Sequence, residues 1–380
     1  MKKVFFTKIN KQEWLLILFW VLLQSFIFLS NGIKVDGEAL RFIRESKNLI
    51  SNENFSTPIY FMYFIEIFLL YIKAKLSIGF GFIVIIQLSL NLFAFISFYR
   101  FIKELYRSSN LAFIASLFFL ICIPYQLYNS FIYTESIFFS LSILYSCFLL
   151  KIENFSLSNI IKIGFWLVLL CLTRPTGIFF FAATIAYWFF KNTAQINIFL
   201  RGVILILFSG IGLFILNKMM GSGTGVNILL PFKEEHIICD LPTSLQHSTN
   251  NQTEGNSIYF LIKYILENPT QFFKLAFLRT VAFFGLTRNY FSLSHNIFIS
   301  FYFYPLYAII IFGLIKFRRT LNISFAYFST LIFMFWLAVV FSCDEWHNRF
   351  FLTLTPFLII LAILPISKFK FENIAADRLR

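Results

Sequence analysis

Apolar runs long enough to cross a lipid bilayer recur along most of this chain. The first extends from Trp14 to Ser30, and further runs follow at intervals up to residue 367. A transmembrane helix needs about 20 predominantly apolar residues. Charged residues make up only 13% of the chain, against about 25% in a typical soluble domain. The sequence therefore predicts an all-α, polytopic membrane protein in which residues 1–380 form one integral membrane domain.

Ten spans are predicted from these runs, and the distribution of Lys and Arg orients them. Basic residues concentrate in the short cytoplasmic loops of membrane proteins. With a cytoplasmic N-terminus, the predicted cytoplasmic segments hold 18 of the 32 Lys and Arg residues but only 5 of the 18 Asp and Glu residues. The remaining loops are then external. The predicted spans are 14–30, 78–98, 111–127, 131–150, 160–173, 177–190, 202–219, 296–315, 322–342 and 349–367.

Two further apolar stretches carry charges and are predicted to lie at the outer membrane interface. Residues 57–76 contain Glu66, and residues 257–290 contain several Lys and Arg residues. Counting only one of these stretches as a span would move the basic loops between them to the wrong side. The prediction is therefore a first external loop with amphipathic helices at 31–77, and a second external loop with surface helices at 220–295.

The first external loop begins with a segment that is rich in charge. Residues 35–50, VDGEALRFIRESKNLI, include Asp36, Glu38 and Arg41. Apolar residues recur there at helical spacing, which predicts an amphipathic helix on the membrane surface. The residues alone leave two roles open for Asp36. It could cap the helix N-terminus, or it could act as a base at the rim of a membrane cavity.

Other unusual polar residues gather on the same predicted side. Glu135 opens the fourth span, Arg174 lies in TRPTG after the fifth, and CDEWHNR, residues 343–349, precedes the last. Arg174 suits a phosphate because guanidinium offers a fork of donors and stays charged, although it could instead snorkel between two short spans. Glu135 could equally serve only the start of its helix.

Cysteines and histidines on the outer side permit two further interpretations. Cys239 and Cys343 are both external, so they could form a disulfide in an oxidising compartment. EEHIICD and CDEWH contain residue types that bind metals, but neither spacing matches a known metal motif. No cofactor is therefore predicted, and a divalent metal is left open. The net charge of +14 follows from topology and indicates no nucleic-acid partner.

The order of these segments resembles the membrane glycosyltransferases of the C superfamily (GT-C). The chain is most similar to the branch that contains protein O-mannosyltransferases and the aminoarabinose transferase of lipid A. The resemblance implies a helical membrane bundle, a catalytic carboxylate in the first external loop and a polyprenyl-phosphate sugar as donor. Asp36 is then the base. Gly37 separates it from Glu38, whereas several relatives carry an adjacent acidic pair. The segments that carry the resemblance are DGEALRFIRES, STPIYFMYFIEI, IIQLSLNLFAF, YTESIFFSLSILYSCFLL, LTRPTGIFFF, ENPTQFFKLAFLRTVAFFGLTRNYFSLSHN and NRFFLTLTPFLIIL.

Together these inferences predict an enzyme of a bacterial inner or plasma membrane whose site faces outward and whose acceptor is a glycan, a lipid or a protein. The alternatives are a flippase or transporter of lipid-linked sugars, for which charge deep within the spans would be expected, and a glycan polymerase or ligase. The candidate residues are Asp36 and Glu38 for catalysis, Arg174, Arg279 and Arg288 for the donor phosphate, and Arg41, Tyr133, Glu135, His295 and Arg349 for substrate, with no metal ligand.

Overall fold

The computed structural model describes residues 9–191, 229–239, 258–317 and 323–377, and in addition positions 210 and 241. Helices form the regular structure of these ranges, and no strand occurs within them. The predicted all-α fold is therefore confirmed for the described part of the chain. The helices are α1 Lys11–Asn31, α2 Glu38–Ile50, α3 Phe64–Lys75, α4 Gly81–Tyr106, α5 Ser109–Leu120, α6 Ile123–Gln126, α7 Thr134–Leu150, α8 Leu157–Thr173, α9 Ile178–Lys191, α10 Leu230–Lys233, α11 Ile258–Glu267, α12 Pro269–Gly285, α13 Leu293–Phe317, α14 Ile323–Val340, α15 Arg349–Leu352 and α16 Thr355–Asp377, with short 3-10 helices at Pro58–Tyr63, Leu127–Ser130 and Pro175–Gly177.

Among the described residues, three helices are long and apolar enough to cross a membrane. They are α1, α4 and α13, with mean hydropathies of 1.9, 2.1 and 2.0. A fourth span results if α5 and the bent segment after it, through Ser130, are counted together. Shorter apolar helices accompany them, namely α7, α8, residues 324–340 of α14 and residues 355–366 of α16. These helices indicate a membrane-embedded protein, whereas the predicted count of ten spans is not confirmed.

Two of the predicted spans differ from the helices of the structure. The predicted span 111–127 is broken, because α5 ends at Leu120 and the next helical segment is bent from it by 70°. Pro124 lies in the first turn of that segment and has no N–H with which to continue the earlier helix. In contrast, α4 continues to Tyr106, well past the predicted end of its span at residue 98. The predicted span 202–219 lies outside the described residues except for position 210.

Helix α7 lies at the centre of the bundle. Its residues from Thr134 to Leu149 are buried, except Phe148, and α4 and α8 pack against it. The hydroxyl groups of Ser140 and Ser146 each donate a hydrogen bond of 2.8 Å to a backbone carbonyl one turn earlier in the helix. Because α7 is enclosed on all faces, a charged side chain in its first turn is shielded from bulk solvent. This position belongs to Glu135.

The amphipathic helix predicted in the first external loop is present as α2, and its buried face packs against α3. Arg41, on the opposite face, is exposed. The N-cap of α2 is Gly37, and no side chain caps this end of the helix. The capping role considered for Asp36 is therefore wrong. Gly37 adopts a φ of 51° and turns the chain between Asp36 and the first helical turn.

Candidate active site

Hydrogen bonds tie the segment between α1 and α2, the start of the predicted first external loop, to the loop that precedes α7. Lys34 exchanges two backbone hydrogen bonds with residues 130–132, at 2.8 and 3.0 Å. From α4, the side-chain amide of Gln87 donates to two carbonyls of the same loop, at 3.2 and 3.3 Å. These bonds satisfy backbone groups that would otherwise be left without partners inside the protein. They also hold Asp36 and Glu135, which are far apart in sequence, on neighbouring segments of the chain.

Asp36 lies exposed at the edge of this junction. The Tyr133 hydroxyl donates a hydrogen bond to its Oδ1 at 3.1 Å. Gly37 permits this approach, since a Cβ at that position would lie 2.7 Å from the Tyr133 hydroxyl oxygen. Its positive φ is a second reason why glycine is needed there. The structure therefore brings together the predicted base Asp36 and the predicted substrate ligand Tyr133.

Glu135 forms ion pairs with two arginines that come from distant parts of the chain. Its side chain is fully buried, and Oε1 contacts both Arg174 and Nη1 of Arg349, the latter at 2.9 Å. Both arginines are themselves largely buried, with side-chain exposures of 7% and 11%. Burial of a charged group is tolerated only when the group is paired. The predicted site residues Glu135, Arg174 and Arg349 therefore meet at the N-terminal end of α7, and Arg174 is not simply snorkelling toward a membrane surface.

Arg349 extends this centre to α2, in the predicted first external loop. Its Nη1 lies 2.8 Å from Oε2 of Glu38, and its Nη2 lies 2.6 Å from Oε2 of Glu345. We refer to Glu38, Glu135, Arg174, Glu345 and Arg349 as the ion cluster. Three carboxylates face two guanidinium groups, so the formal charge of the cluster is −1.

Arg174 is positioned by the sharp connection between α8 and α9. The 3-10 turn Pro175–Gly177 directly follows it. A Cβ on Gly177 would lie 2.4 Å from the carbonyl carbon of Leu170, so only glycine lets this turn pack against α8. Glu135 is the one partner of the Arg174 side chain among the described residues. The other N–H groups of this guanidinium are therefore free to bind an anion.

Helix α3 places a further carboxyl group, that of Glu66, near Glu135 and outside the ion cluster. It is fully buried, and neither of its oxygens has a hydrogen-bond partner within the described part of the chain. Burial, and to a smaller extent the charge of Glu135, raises the pKa of Glu66 from 4.5 to about 8. Glu66 therefore carries a proton at neutral pH. The sequence analysis placed this residue on an interfacial helix and gave it no role in the site.

A disulfide and a buried arginine support the segment that precedes Arg349. Cys239 and Cys343 form a disulfide with a Cα–Cα distance of 5.2 Å, as the sequence analysis considered. Arg279 is fully buried below it and donates to three backbone carbonyls, at 2.8, 2.9 and 2.9 Å. Arg279 was predicted to bind the donor phosphate. The structure instead places it in the support of residues 343–349, away from the ion cluster.

Arg288 also serves this support. Helix α12, which carries Arg279, ends at Gly285, and Leu286 adopts a left-handed φ of 61°. Beyond that turn, Arg288 pairs with Asp344 and donates to the Asn348 side chain at 2.6 Å. The structure does not bring this predicted phosphate ligand to the ion cluster either.

Two other predicted substrate residues lie outside the ion cluster. Arg41 is exposed on α2, and His295 packs edge-on against Phe291 with ring centroids 4.4 Å apart. Conversely, Glu345 and Glu66 belong to the site but were not predicted. Glu345 could have been found from its position four residues before Arg349, a spacing at which opposite charges meet on one helical turn. Glu66 could have been found as the only acidic residue of the largely apolar stretch 57–76.

A cavity with a volume of about 1340 Å³ lies away from this site, between α1, α4, α7 and α8, around the C-terminal half of α7. Glu135 marks the opposite end of that helix. We give the ion cluster more weight, since the chemistry-bearing side chains converge there. Within the described residues, no group of three or more His, Cys, Asp and Glu side chains is arranged to hold a metal ion.

A comparison of the chain with known proteins found no matching family model, no matching curated protein and no matching solved structure. The function is therefore argued from the arrangement of the residues and from the segment order described above.

Proposed function

We propose that this chain is an integral membrane glycosyltransferase that moves a sugar from a polyprenyl-phosphate donor to a hydroxyl or amine of a glycan, lipid or protein acceptor. The observation that carries the proposal is the meeting of the first-loop carboxylate Glu38 with the buried ion pairs of Arg349, Glu135 and Arg174 at one end of the helical bundle, two residues from the exposed carboxylate of Asp36. In this proposal, that end faces outward from a bacterial inner or plasma membrane. A donor with its phosphate at headgroup level and its tail in lipid requires such a polar site beside apolar helices.

Two carboxylates of the first loop, Asp36 and Glu38, differ in their bonding partners. Glu38 is paired with Arg349 at 2.8 Å, whereas Asp36 accepts a single hydrogen bond from Tyr133 and is exposed. A base must be free to reach the proton it removes. The proposal therefore assigns the base to Asp36, and it assigns Glu38 to holding Arg349 in place.

The proposed reaction is a direct displacement at the anomeric carbon of the sugar. Asp36 takes the proton of the acceptor group, whose oxygen or nitrogen then bonds to the anomeric carbon. The bond between that carbon and the phosphate oxygen breaks, and its electron pair leaves with polyprenyl phosphate. Negative charge on the phosphate grows during this step, and the free N–H groups of Arg174 are suited to stabilise it.

The test uses the full-length protein in lipid nanodiscs with a panel of polyprenyl-phosphate sugars. We expect Arg174→Ala to lose donor binding, and Arg174→Lys to recover part of it, because a point charge cannot reproduce a bidentate phosphate contact. Arg44→Ala, at an exposed position on α2, is the matched control and should bind as the wild type does. Transport of the intact lipid-linked sugar between leaflets, with no cleavage of the sugar phosphate bond, would show that the chain is a flippase instead.

A further inference from the structure

An exposed group of aromatic side chains lies beside the ion cluster. The rings of Trp346 and His347 are nearly parallel, with centroids 5.7 Å apart, and Phe291 lies parallel to His347 at 6.1 Å. Tyr290 meets the Trp346 ring edge-on at 5.9 Å. We call Tyr290, Phe291, Trp346 and His347 the aromatic platform.

The aromatic platform is fixed in place by the protein. The Tyr290 hydroxyl donates a hydrogen bond of 2.6 Å to the Trp346 carbonyl, which couples the two segments that supply the rings. Trp346 and His347 stand between Glu345 and Arg349, whose ion pair of 2.6 Å closes that turn. Aromatic side chains also have few rotatable bonds to restrict on binding. A ligand would therefore meet a surface that is already ordered.

Large parts of these rings are open, and the polar ring atoms of Trp346 and His347 are unused. Trp346 is 45% exposed and Tyr290 is 42% exposed. Neither the indole N–H of Trp346 nor the imidazole of His347 has a hydrogen-bond partner among the residues that the structure describes. Burial and the charge of Arg349 lower the pKa of His347, so the ring is neutral near pH 7 and offers one donor and one acceptor. The surface thus combines flat apolar faces with free hydrogen-bonding atoms.

We propose that the aromatic platform is a saccharide-binding subsite that takes a pyranose ring. One face of a pyranose consists largely of C–H groups, which pack well on aromatic rings, while its rim of hydroxyl groups needs donors and acceptors of the kind that Trp346 and His347 leave free. The location fits, because Glu345 and Arg349 of the ion cluster flank these two residues. The inference deepens the proposed function and rests on it in naming a sugar. The pyranose could belong to the acceptor glycan or to the donor.

The experiment measures saccharide binding directly, by calorimetry on the full-length protein in nanodiscs. The probes are neutral soluble trisaccharides of mannose, glucose and N-acetylglucosamine, and polyprenyl phosphate with and without a sugar. We expect at least one trisaccharide to bind, Trp346→Ala to weaken it about tenfold and Trp346→Phe to weaken it less. Trp14→Ala is the matched control, since Trp14 is 60% exposed on the apolar helix α1. It should leave saccharide binding unchanged.

The arms of the experiment separate the possible sources of the ring. Trisaccharide binding that depends on Trp346 assigns the platform to the acceptor. Dependence on Trp346 only for the sugar-bearing polyprenyl phosphate, and not for polyprenyl phosphate alone, assigns it to the donor. Either result supports the subsite. If polyprenyl phosphate bound equally well to the wild type and to Arg174→Ala, while saccharide binding stayed intact, the proposed donor site would be rejected. The saccharide subsite would still stand.

Tryptophan and tyrosine also anchor proteins at membrane interfaces. Evidence that the aromatic platform contacts lipid in this way would overturn the proposed subsite. Brominated lipids quench indole fluorescence on contact. The quenching of Trp346 is the difference in quenched fluorescence between the wild type and Trp346→Phe. The quenching of Trp14 is obtained in the same way from Trp14→Phe. Quenching of Trp346 as strong as that of Trp14, or no Trp346-dependent binding of any probe, would show that the platform faces lipid and does not bind saccharide.

Discussion

The Tyr133 hydroxyl donates a hydrogen bond of 3.1 Å to the carboxylate of Asp36, and this contact joins the segment before α2 to the entry to α7. Two residues further on, Glu38 is instead held by Arg349 at 2.8 Å. One carboxylate therefore remains open to a substrate, while its neighbour belongs to the ion cluster. This difference allows their roles to be tested separately.

Asp36→Asn should abolish sugar transfer with little effect on folding. The amide keeps the shape and can still accept the Tyr133 hydrogen bond, but it cannot take a proton, and a positioned base contributes about 10²–10⁴-fold in rate. Transfer is measured by the release of polyprenyl phosphate, and folding by the thermal unfolding midpoint. Glu38→Gln is the comparison, and it should lower stability through loss of its pair with Arg349. Full activity in Asp36→Asn would remove the base from this position.

The sequence could predict α2, because an amphipathic stripe appears in the order of the residues themselves. It could also indicate Glu135 and Arg174, since charges next to apolar runs are costly and therefore informative. It could not predict which charges meet. Arg279 and Arg349 look alike in sequence, yet Arg279 donates to backbone carbonyls and Arg349 joins three carboxylates. The pairs of Arg349 with Glu38 and Glu135 depend on tertiary packing between segments more than two hundred residues apart.

Glu135→Gln should strongly destabilise the protein. Removing one partner from a buried ion pair typically costs about 3–5 kcal/mol, because the remaining charge is left without compensation. Here Arg174 would lose its one ionic partner among the described residues. The free energy of unfolding is measured by denaturant titration. Glu104→Gln is the matched control: Glu104 pairs with Lys151 at the surface, where the loss should stay within about 1 kcal/mol. Equal stability of the two variants would contradict the central role of Glu135.

Stability should fall with rising pH because of Glu66. The unfolded chain releases this proton near the ordinary pKa of 4.5, whereas the folded protein retains it up to about pH 8. Between these values the folded state binds more protons, so each unit of rising pH costs at most about 1.4 kcal/mol. Glu66→Gln cannot titrate and should flatten this part of the profile. The measurement is the unfolding midpoint of both proteins across that range, and identical slopes would rule out a buried, protonated Glu66.

The proposed orientation can be tested by labelling from one side of the membrane. Ser51, just after α2, is exposed on the side proposed to face outward, and Arg107, just after α4, is exposed on the side proposed to be cytoplasmic. We expect a membrane-impermeant thiol reagent to label Ser51→Cys in intact cells and to label Arg107→Cys only after the membrane is opened. Labelling of Arg107→Cys in intact cells would reverse the orientation.

Reduction of the disulfide between Cys239 and Cys343 should weaken donor binding as well as stability. The bond joins positions 104 residues apart, and such cross-links typically stabilise by about 2–4 kcal/mol. Cys343 begins the segment that ends at Arg349, so release of this end should loosen the pairs of Arg349 with Glu38 and Glu135. Polyprenyl-phosphate binding and the unfolding midpoint are measured with and without reductant.

The variant with both cysteines changed to serine retains the free cysteines Cys122, Cys147 and Cys171, so it reports any effect of reductant that does not come from the disulfide. It should resemble the reduced wild type and show no further response to reductant. Unchanged donor binding in both reduced forms would mean that the ion cluster holds Arg349 without help from the disulfide.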